Sequence, residues 1–510
     1  MPQRRLESVG HGIPTRSVSE GERCKVPPNP RLLERSPSLT LRVSVSPLDG
    51  LEIAHGVCLL GFGEFAMPLS LIPKFETTIR GQSLAIQSHQ TTCSELFERC
   101  RSVVAEHELK ITAWINFDGD VVEQAVADRD AELWRGIWRG PLHGIPVGVK
   151  DIYDVAGWPT LAGIPNRSSP LADADSTMVR RLRYAGAVIV GKTVTTPYAF
   201  FDPPPTRNPW NLERTPGGSS SGSAAAVASG MCLGALGSQT GGSITRPAAF
   251  CGVAGYKPSF GLLSRCGMFP FAPSLDHPGP MARTVDDLIC LMTALAPKWL
   301  RADFYSLLSE PVVFDIDELP RFAVLGGVFN EKTESAMHNA LEATTKRLSV
   351  AGAMISESDA AELELPNLWQ RHRCVMAVEI AASQAERLQQ RPEEFTPAVR
   401  SLIEEGLAAR SVDYAVAIQF QRSLRRRVSR AIGDSIWLMP ASRGAAPTSE
   451  TTGDPCMNSP WSFIGFPTIT IPMALSPEGL PLGLQLVAGP GRDLDLFRVA
   501  RWCESVLARR

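Results

Sequence analysis

The residues best suited to chemistry lie in two clusters of glycine and serine. They are GGSSSGS at 217–223 and GGS at 241–243. Glycine lets the backbone turn where other residues clash and lets N–H groups approach a ligand. Serine hydroxyls become nucleophiles when a base takes their proton. The sequence between the clusters, AAAVASGMCLGAL, predicts a buried Ala-rich helix and a short strand, which argues against a flexible Gly/Ser linker.

Lys150 is a candidate for that base, because it ends the apolar strand predicted in PLHGIPVGVKD. An unpaired ammonium is costly to bury. Two interpretations are open from this segment alone. The stem packs while the ammonium reaches solvent, or the amine is desolvated, its pKa falls and it acts as a base.

Histidine is a weaker candidate, since none accompanies the Gly/Ser clusters. We interpret His143 as a strand-entry residue and His277, in SLDHPGP, as structural. A G-x-S-x-G elbow followed by a helix is also missing. A lysine base relayed through a second serine is the remaining metal-free solution. The eight histidines lack H-E-x-x-H spacing, so we expect no metal and no cofactor.

A third glycine-containing segment matches a phosphate-binding loop. Gly186, Gly191, Lys192 and Thr193 fit the pattern G-x-x-x-x-G-K-[ST]. That loop needs a turn after a strand and a helix directly behind it. Here 187–190 reads as a buried strand and Pro197 follows closely, so the sequence disfavours nucleotide binding.

Composition excludes several other classes of function. The 510 residues are 44% apolar and 20% charged, with a net charge of −2, as in ordinary soluble globular proteins. This balance gives no electrostatic argument for binding nucleic acid or a membrane. The eleven cysteines form no C-x-x-C pair, which argues against a disulfide framework. Free thiols in the cytoplasm are the simpler interpretation.

The chain divides into an N-terminal segment and one large domain. Residues 1–66 are rich in Arg, Ser and Pro and lack periodicity. We expect them to be disordered, or to be a mis-assigned extension before a natural start at Met67. The apolar patch at 51–73 is too interrupted to span a membrane.

From about residue 85, strand patterns alternate with helix patterns. They predict an α/β fold, in which 67–510 form a single large domain with a mixed, mostly central β-sheet flanked by helices on both faces. We interpret the segment CGMFPFAPSLDHPGPMART as loop-rich, because its glycines and prolines recur regularly.

Several ordered motifs closely resemble those of the amidase signature family. The main ones are GVKD (148–151), PGGSSSGSAAAVASG (216–230) and GSQTGGSITRPAAFCGVAGYKP (237–258). SLDHPGPMART and SPWSFIGFPTITIP continue the similarity, which covers about 70–510. The resemblance implies the amidase signature fold and hydrolysis of amides.

The resemblance also assigns roles to individual residues. It makes Ser243 the nucleophile, Ser219 the relay serine after a cis peptide from Gly218, and Lys150 the base. The oxyanion hole comes from the backbone N–H groups of Thr240, Gly241, Gly242 and Ser243.

The chain departs from the family pattern at several positions. Gln239 replaces a common aspartate in S-D-T-G-G-S, Ser221 replaces a common glycine, and Pro197 stands where a glutamate is frequent. The form Q-T-G-G-S-x-x-R-P is similar to that of amidases acting on small acidic amides, so Arg246 is a candidate for binding a substrate carboxylate. A structural arginine that braces the loop is the simpler interpretation.

The resemblance leaves three functions open. The first is a stand-alone amidase acting on a small-molecule amide. The second is the glutaminase subunit of a tRNA-dependent amidotransferase, although VTTPY after Gly191-Lys192 differs from the N-M-D-E-F-type run of that subunit. The third is an idle ligand-binding scaffold. The substrate is open, as is the oligomeric state, for which a homodimer is one option.

Overall fold

The computed structural model describes residues 78–117, 119–164, 166–311, 314 and 319–508. The N-terminal segment 1–66 and Met67, on which the sequence predictions of disorder and of an extension rest, lie outside the described residues. All described residues belong to one compact unit.

Eleven strands of the described chain form one mixed sheet. Their order across the sheet is β1-β3-β2-β4-β6-β5-β10-β11-β9-β7-β8. The pairs of β2 with β3 and β4, and of β7 with β8 and β9, are parallel, and the others are antiparallel. The strands are β1 Trp114–Phe117, β2 Pro146–Lys150, β3 Val188–Thr193, β4 Gly234–Gln239, β5 Ala254–Lys257, β6 His277–Ala282, β7 Arg321–Leu325, β8 Met354–Ser358, β9 Ile436–Pro440, β10 Thr468–Leu475 and β11 Pro481–Val487.

Helices precede, connect and follow these strands. In the described residues they are α1 Ile79–Gln87, α2 Cys93–Ile111, α3 Gly119–Trp134, α4 Thr177–Tyr184, α5 Ser221–Ser229, α6 Thr245–Cys251, α7 Val285–Leu295, α8 Arg301–Ser309, α9 Val328–Glu331, α10 Ser335–Val350, α11 Leu365–Gln390, α12 Pro397–Ala408, α13 Ser411–Ile432, α14 Ser459–Ile464 and α15 Asp493–Ala508.

Alternate residues of the sheet face two different hydrophobic cores. In β9, Ile436 and Leu438 belong to one core, whereas Trp437 and Met439 belong to the other. Successive side chains of a strand point to opposite faces, so both faces of the sheet are covered. The first core includes residues of α2, α7 and α15, and the second includes α11, α12 and α13. The predicted α/β fold, with helices on both faces of a mixed sheet, is confirmed.

Strand β6 corrects one sequence prediction. Its sequence HPGPMA lies in the segment interpreted as loop-rich, yet it is a strand that pairs with β4 along its whole length. Proline has no N–H and is normally confined to sheet edges. Pro278 and Pro280 are two residues apart, so their nitrogens face the same edge of the strand. The other neighbour, β5, pairs with Met281 and Ala282 and leaves both prolines outside its ladder.

Helix α5 is buried along its whole length and carries only small side chains, SGSAAAVAS. The Gly222 N–H donates a hydrogen bond of 3.0 Å to the Val194 carbonyl. A Cβ at position 222 would overlap the Ala113 carbonyl oxygen and the Val194 nitrogen. The first Gly/Ser cluster is therefore held tightly against the ends of β1 and β3.

We expect Gly222→Ala to lower the free energy of unfolding by about 1–3 kcal/mol, because the backbone atoms it meets cannot move aside freely. Urea denaturation measures this loss. Gly489→Ala is the matched control, since its Cβ would make an ordinary contact of 3.6 Å with Ile432 Cγ2. Equal urea midpoints for the two variants would contradict the tight packing of α5.

Candidate active site

Lys150 is the last residue of β2, which lies between β3 and β4 and is wholly buried. The Lys150 side chain is 0% exposed. Its Nζ is 2.7 Å from Ser219 Oγ and 2.9 Å from Ser238 Oγ. Of the two interpretations drawn from the sequence, the solvent-reaching lysine is therefore wrong. The amine is desolvated, and its action as a base stays a prediction.

The surroundings of Lys150 disfavour its charged form. Burial lowers the pKa of Lys150 to about 7, while the negative charge of Asp276 acts in the opposite direction. A buried ammonium loses its hydration, and the two serine hydroxyls replace only part of it. Near pH 7, Lys150 is therefore neutral in a large fraction of the molecules, and the neutral amine can accept a proton.

The first Gly/Ser cluster is hydrogen-bonded to strand β4 close to Lys150. The Gly218–Ser219 peptide bond is cis, and Ser219 is 1% exposed. The hydroxyl of Ser220 lies 3.2 Å from the Ser238 nitrogen and 3.3 Å from the Ser238 oxygen. Ser219, in the loop before α5, and Ser238, in β4, therefore reach the same amine from two connected elements.

The loop 240–243, between β4 and α6, is held by distant parts of the chain. The Thr240 hydroxyl donates to Asp276 Oδ1 at 2.6 Å. The Thr240 carbonyl is 3.0 Å from His372 Nε2. The Gly241 carbonyl accepts from the Ser462 hydroxyl at 2.6 Å. With these carbonyl groups held, the orientation of the peptide planes in the loop is fixed.

Ser243 is the most accessible of the three predicted catalytic residues. It is half-buried, whereas Lys150 and Ser219 are fully buried. The hydrogen bonds of the described chain join Lys150 to Ser219 and Ser238, but none of them includes the Ser243 hydroxyl. The structure thus brings the predicted base and relay together and leaves Ser243 open to a ligand.

Arg246 lies in α6 and is 1% exposed. Its Nη2 donates at 2.8 Å to the Gly218 carbonyl, which belongs to the cis peptide group, and is 3.4 Å from Thr452 Oγ1. Burial lowers its pKa to about 10. Its Nε and Nη1 have no hydrogen-bond partner among the described residues. The contact with Gly218 supports the interpretation of Arg246 as a structural residue that braces the loop. Two of its three guanidinium nitrogens are left unpaired.

Ser238 is the residue near Lys150 that sequence reasoning missed. It lies inside the motif GSQTGGS, which contains two serines, and the resemblance assigns a role to Ser243 alone. The alternation of β4 could have found it, because Ser238 and Leu236 point to the same side of the strand. Only the packing of β4 beside β2 shows that this side contacts the amine.

Gln239 has a structural role where many family members have aspartate. Its Oε1 accepts from the backbone N–H groups of Ile244 and Thr245 at 2.8 and 2.9 Å. Its Nε2 donates to the Ser462 hydroxyl at 3.1 Å. The side chain therefore caps the start of α6 and links it to α14.

The segment that resembles a phosphate-binding loop is a strand. Lys192 lies inside β3, and its Nζ forms a buried ion pair of 3.0 Å with Asp151 Oδ1. The same amine donates to the Tyr153 carbonyl at 2.8 Å and to the Pro159 carbonyl at 3.1 Å. Its charge and donors are used within the fold, which fits the prediction against a nucleotide site.

The two histidines that the sequence set aside are buried and hydrogen-bonded to the backbone. His143 Nε2 is 2.9 Å from the Arg129 carbonyl. His277 Nδ1 is 2.5 Å from the Leu275 carbonyl. Neither contacts Lys150, Ser219 or Ser243 through a hydrogen bond of the described chain, in keeping with the structural interpretation.

Comparison with known proteins decides the family. The sequence profile of the family named Amidase matches residues 95–497. AmiD of Mycobacterium tuberculosis, provisionally named an amidase, is 31% identical over 440 residues, which cover 82% of this chain and 90% of AmiD. The chain belongs to the amidase family.

Two further similarities extend over the same region. A glutamyl-tRNA(Gln) amidotransferase subunit from Chloroflexus aurantiacus is 32% identical over 472 residues, covering 83% of this chain and 95% of that protein. The structure of the native peptide amidase from Stenotrophomonas maltophilia has a TM-score of 0.71 and 26% identity, and the match covers 87% of this chain and 99% of that one.

Membership of the amidase family makes the protein a hydrolase that acts on amide carbon–nitrogen bonds, as the resemblance predicted. In the described part of the chain, no helix combines the length and the apolar character needed to cross a bilayer.

We expect Gln239→Ala to lower the free energy of unfolding by about 2–5 kcal/mol, because it leaves two buried N–H groups without an acceptor. Gln239→Glu keeps the acceptor oxygen and should lose clearly less. Guanidinium denaturation of both variants measures the difference. Equal losses would show that the side chain does not cap α6.

Proposed function

We propose that the protein is a stand-alone amidase that uses Ser243 as nucleophile, Ser219 as proton relay and Lys150 as base. The observation that carries the proposal is the 2.7 Å contact between a fully buried lysine amine and Ser219 Oγ. A lysine whose pKa is lowered to about 7 is suited to general-base work at neutral pH.

In the first step, Ser243 Oγ attacks the carbonyl carbon of the amide. Its proton passes to Ser219 Oγ, and the Ser219 proton passes to the neutral Nζ of Lys150. The resulting ammonium returns a proton through Ser219 to the departing nitrogen, which leaves as ammonia or an amine. Water then attacks the acyl-enzyme and the same relay operates again.

The carbonyl oxygen gains negative charge as Ser243 attacks, and we assign its stabilisation to the N–H groups of Thr240, Gly241, Gly242 and Ser243. The contacts of the Thr240 and Gly241 carbonyls with His372 and Ser462 support this assignment. A donor that is already oriented spends no energy on reorganisation, and each such donor contributes about 10²–10³ in rate.

Arg246 gives a reason to include acidic amides among the substrates. Its unpaired Nη1 and Nε are buried in the segment that directly follows Ser243. A buried donor without an acceptor is costly, and a substrate carboxylate that reaches it would remove that cost. Bracing of Gly218 by Nη2 is compatible with this second role.

Ser243→Ala should abolish both turnover and covalent labelling by a fluorophosphonate probe, because no other hydroxyl takes the place of Oγ. Ammonia release and mass spectrometry of the labelled protein measure the two effects. The control is Ser229→Ala, which removes a hydroxyl bonded only within α5 and should label normally. Unchanged turnover in the Ser243 variant would refute the assignment.

The rate should depend on pH through Lys150. Below its pKa of about 7 the amine is protonated and cannot accept a proton, so kcat/KM should rise with pH and level off above about 7. Lys150→Ala should lose about 10²–10⁴ in rate. Ammonia release between pH 5 and 9 measures the profile. A rising limb centred below pH 5 would exclude Lys150 as the titrating base.

The glutaminase subunit is the alternative, and the relatives of both kinds have nearly equal identity to this chain. A panel of aliphatic, aromatic and acidic amides, with glutamine assayed with and without charged tRNA, separates the two. Hydrolysis of simple amides by the isolated chain supports the stand-alone enzyme. Activity restricted to glutamine plus charged tRNA supports the glutaminase. Absence of both turnover and probe labelling supports an idle scaffold.

A further inference from the structure

A cavity of about 420 Å³ lies between the loop 260–274, α13 and α14. Its size falls within the range of small-molecule sites. None of Lys150, Ser219, Ser243 and Arg246 lines it.

Three arginines face this cavity: Arg265, Arg422 and Arg425. Two of them lie on α13, where Ile418, Gln421, Arg422 and Arg425 all line the wall. Their spacing of three and four residues places these side chains on one face of the helix. An added Cβ at Gly465 would lie 3.8 Å from Arg425 Nη1, which puts that guanidinium against the α14 side of the cavity.

The residues that line the cavity carry positive charge and no negative charge. No carboxylate of the described chain is among its lining residues. Within the described residues, none of the three guanidinium groups forms an ion pair, although Arg427 on the same helix pairs with Glu364 at 2.6 Å. The nearby Glu379 carboxylate accepts from the Ser274 N–H and the Tyr414 hydroxyl, each at 2.8 Å, and forms no ion pair with the three arginines in the described chain.

The remaining wall is suited to the uncharged part of a ligand. Phe260 and Phe463 line it, and the Arg265 guanidinium lies 5.3 Å from the centre of the Phe260 ring. Gln421 is held in place by donating to the Phe463 carbonyl at 2.7 Å. The walls thus combine a fixed apolar side with cationic groups.

We propose that this cavity binds a small polyanion carrying carboxylate or phosphate groups. Guanidinium groups pair with both kinds of oxyanion through two parallel hydrogen bonds. Three of them around one cavity favour a ligand with at least two negative charges over chloride or a monocarboxylate. The proposal concerns binding and does not depend on the catalytic roles assigned above.

The test compares citrate and inorganic phosphate with sodium chloride at equal ionic strength, using the full chain. Isothermal calorimetry should detect binding of citrate, of phosphate or of both, and the bound anion should raise Tm by at least about 2 °C over chloride. Binding of citrate alone identifies a polycarboxylate site, and binding of phosphate alone identifies a phosphate site.

Arg425→Gln should weaken this binding at least tenfold, and Arg422→Gln/Arg425→Gln should abolish it. The matched control is Arg426→Gln, which makes the same change of charge on the adjacent, exposed residue outside the cavity, and it should bind like the wild type. Circular dichroism checks that every variant is folded. The proposal is overturned if neither anion binds the wild type, or if the Arg425 and Arg426 variants bind equally.

Discussion

The burial of one amine constrains the whole site. Lys150 ends the strand between β3 and β4, so its Nζ is shut off from water and depends on the hydroxyls that meet it there. Two serines approach within 2.9 Å, and no carboxylate of the described chain pairs with the amine directly. An adjacent carboxylate would hold the lysine in its charged form, whereas hydroxyls leave the neutral form accessible. The positions of Ser219 and Ser238 therefore influence the protonation state of Lys150.

Much of the fold was predictable from the sequence, because hydrophobic patterns are local. The strands at Lys150 and Leu325 and the cap of α4 by Ser176 follow from such patterns. The strand β6 did not, because its prolines are typical of loops and only its neighbours β4 and β5 explain how they are accommodated.

The candidate site divides in the same way. Sequence motifs contain Lys150, Ser219 and Ser243, and in the structure Lys150 Nζ lies 2.7 Å from Ser219 Oγ. The sequence around Lys150 could not predict its protonation state. That state depends on Ser219 and Ser238, which lie 69 and 88 residues further along the chain. Ser462 gave no local signal for its contact with the loop 240–243, and Gln239 looked like a simple departure from the family pattern. Their roles depend on distances that tertiary structure sets.

The bond between Ser462 and Gly241 spans 221 residues of sequence. The ribosome therefore synthesises Lys150, Ser219 and Ser243 long before Ser462, whose hydroxyl bonds to the loop 240–243. Long-range contacts of this kind form late, because closing so large a loop costs entropy before any contact repays it. A nascent or C-terminally truncated chain would hold Lys150, Ser219 and Ser243 without the contact that fixes the loop 240–243, so the arrangement of this loop depends on the C-terminal part of the chain.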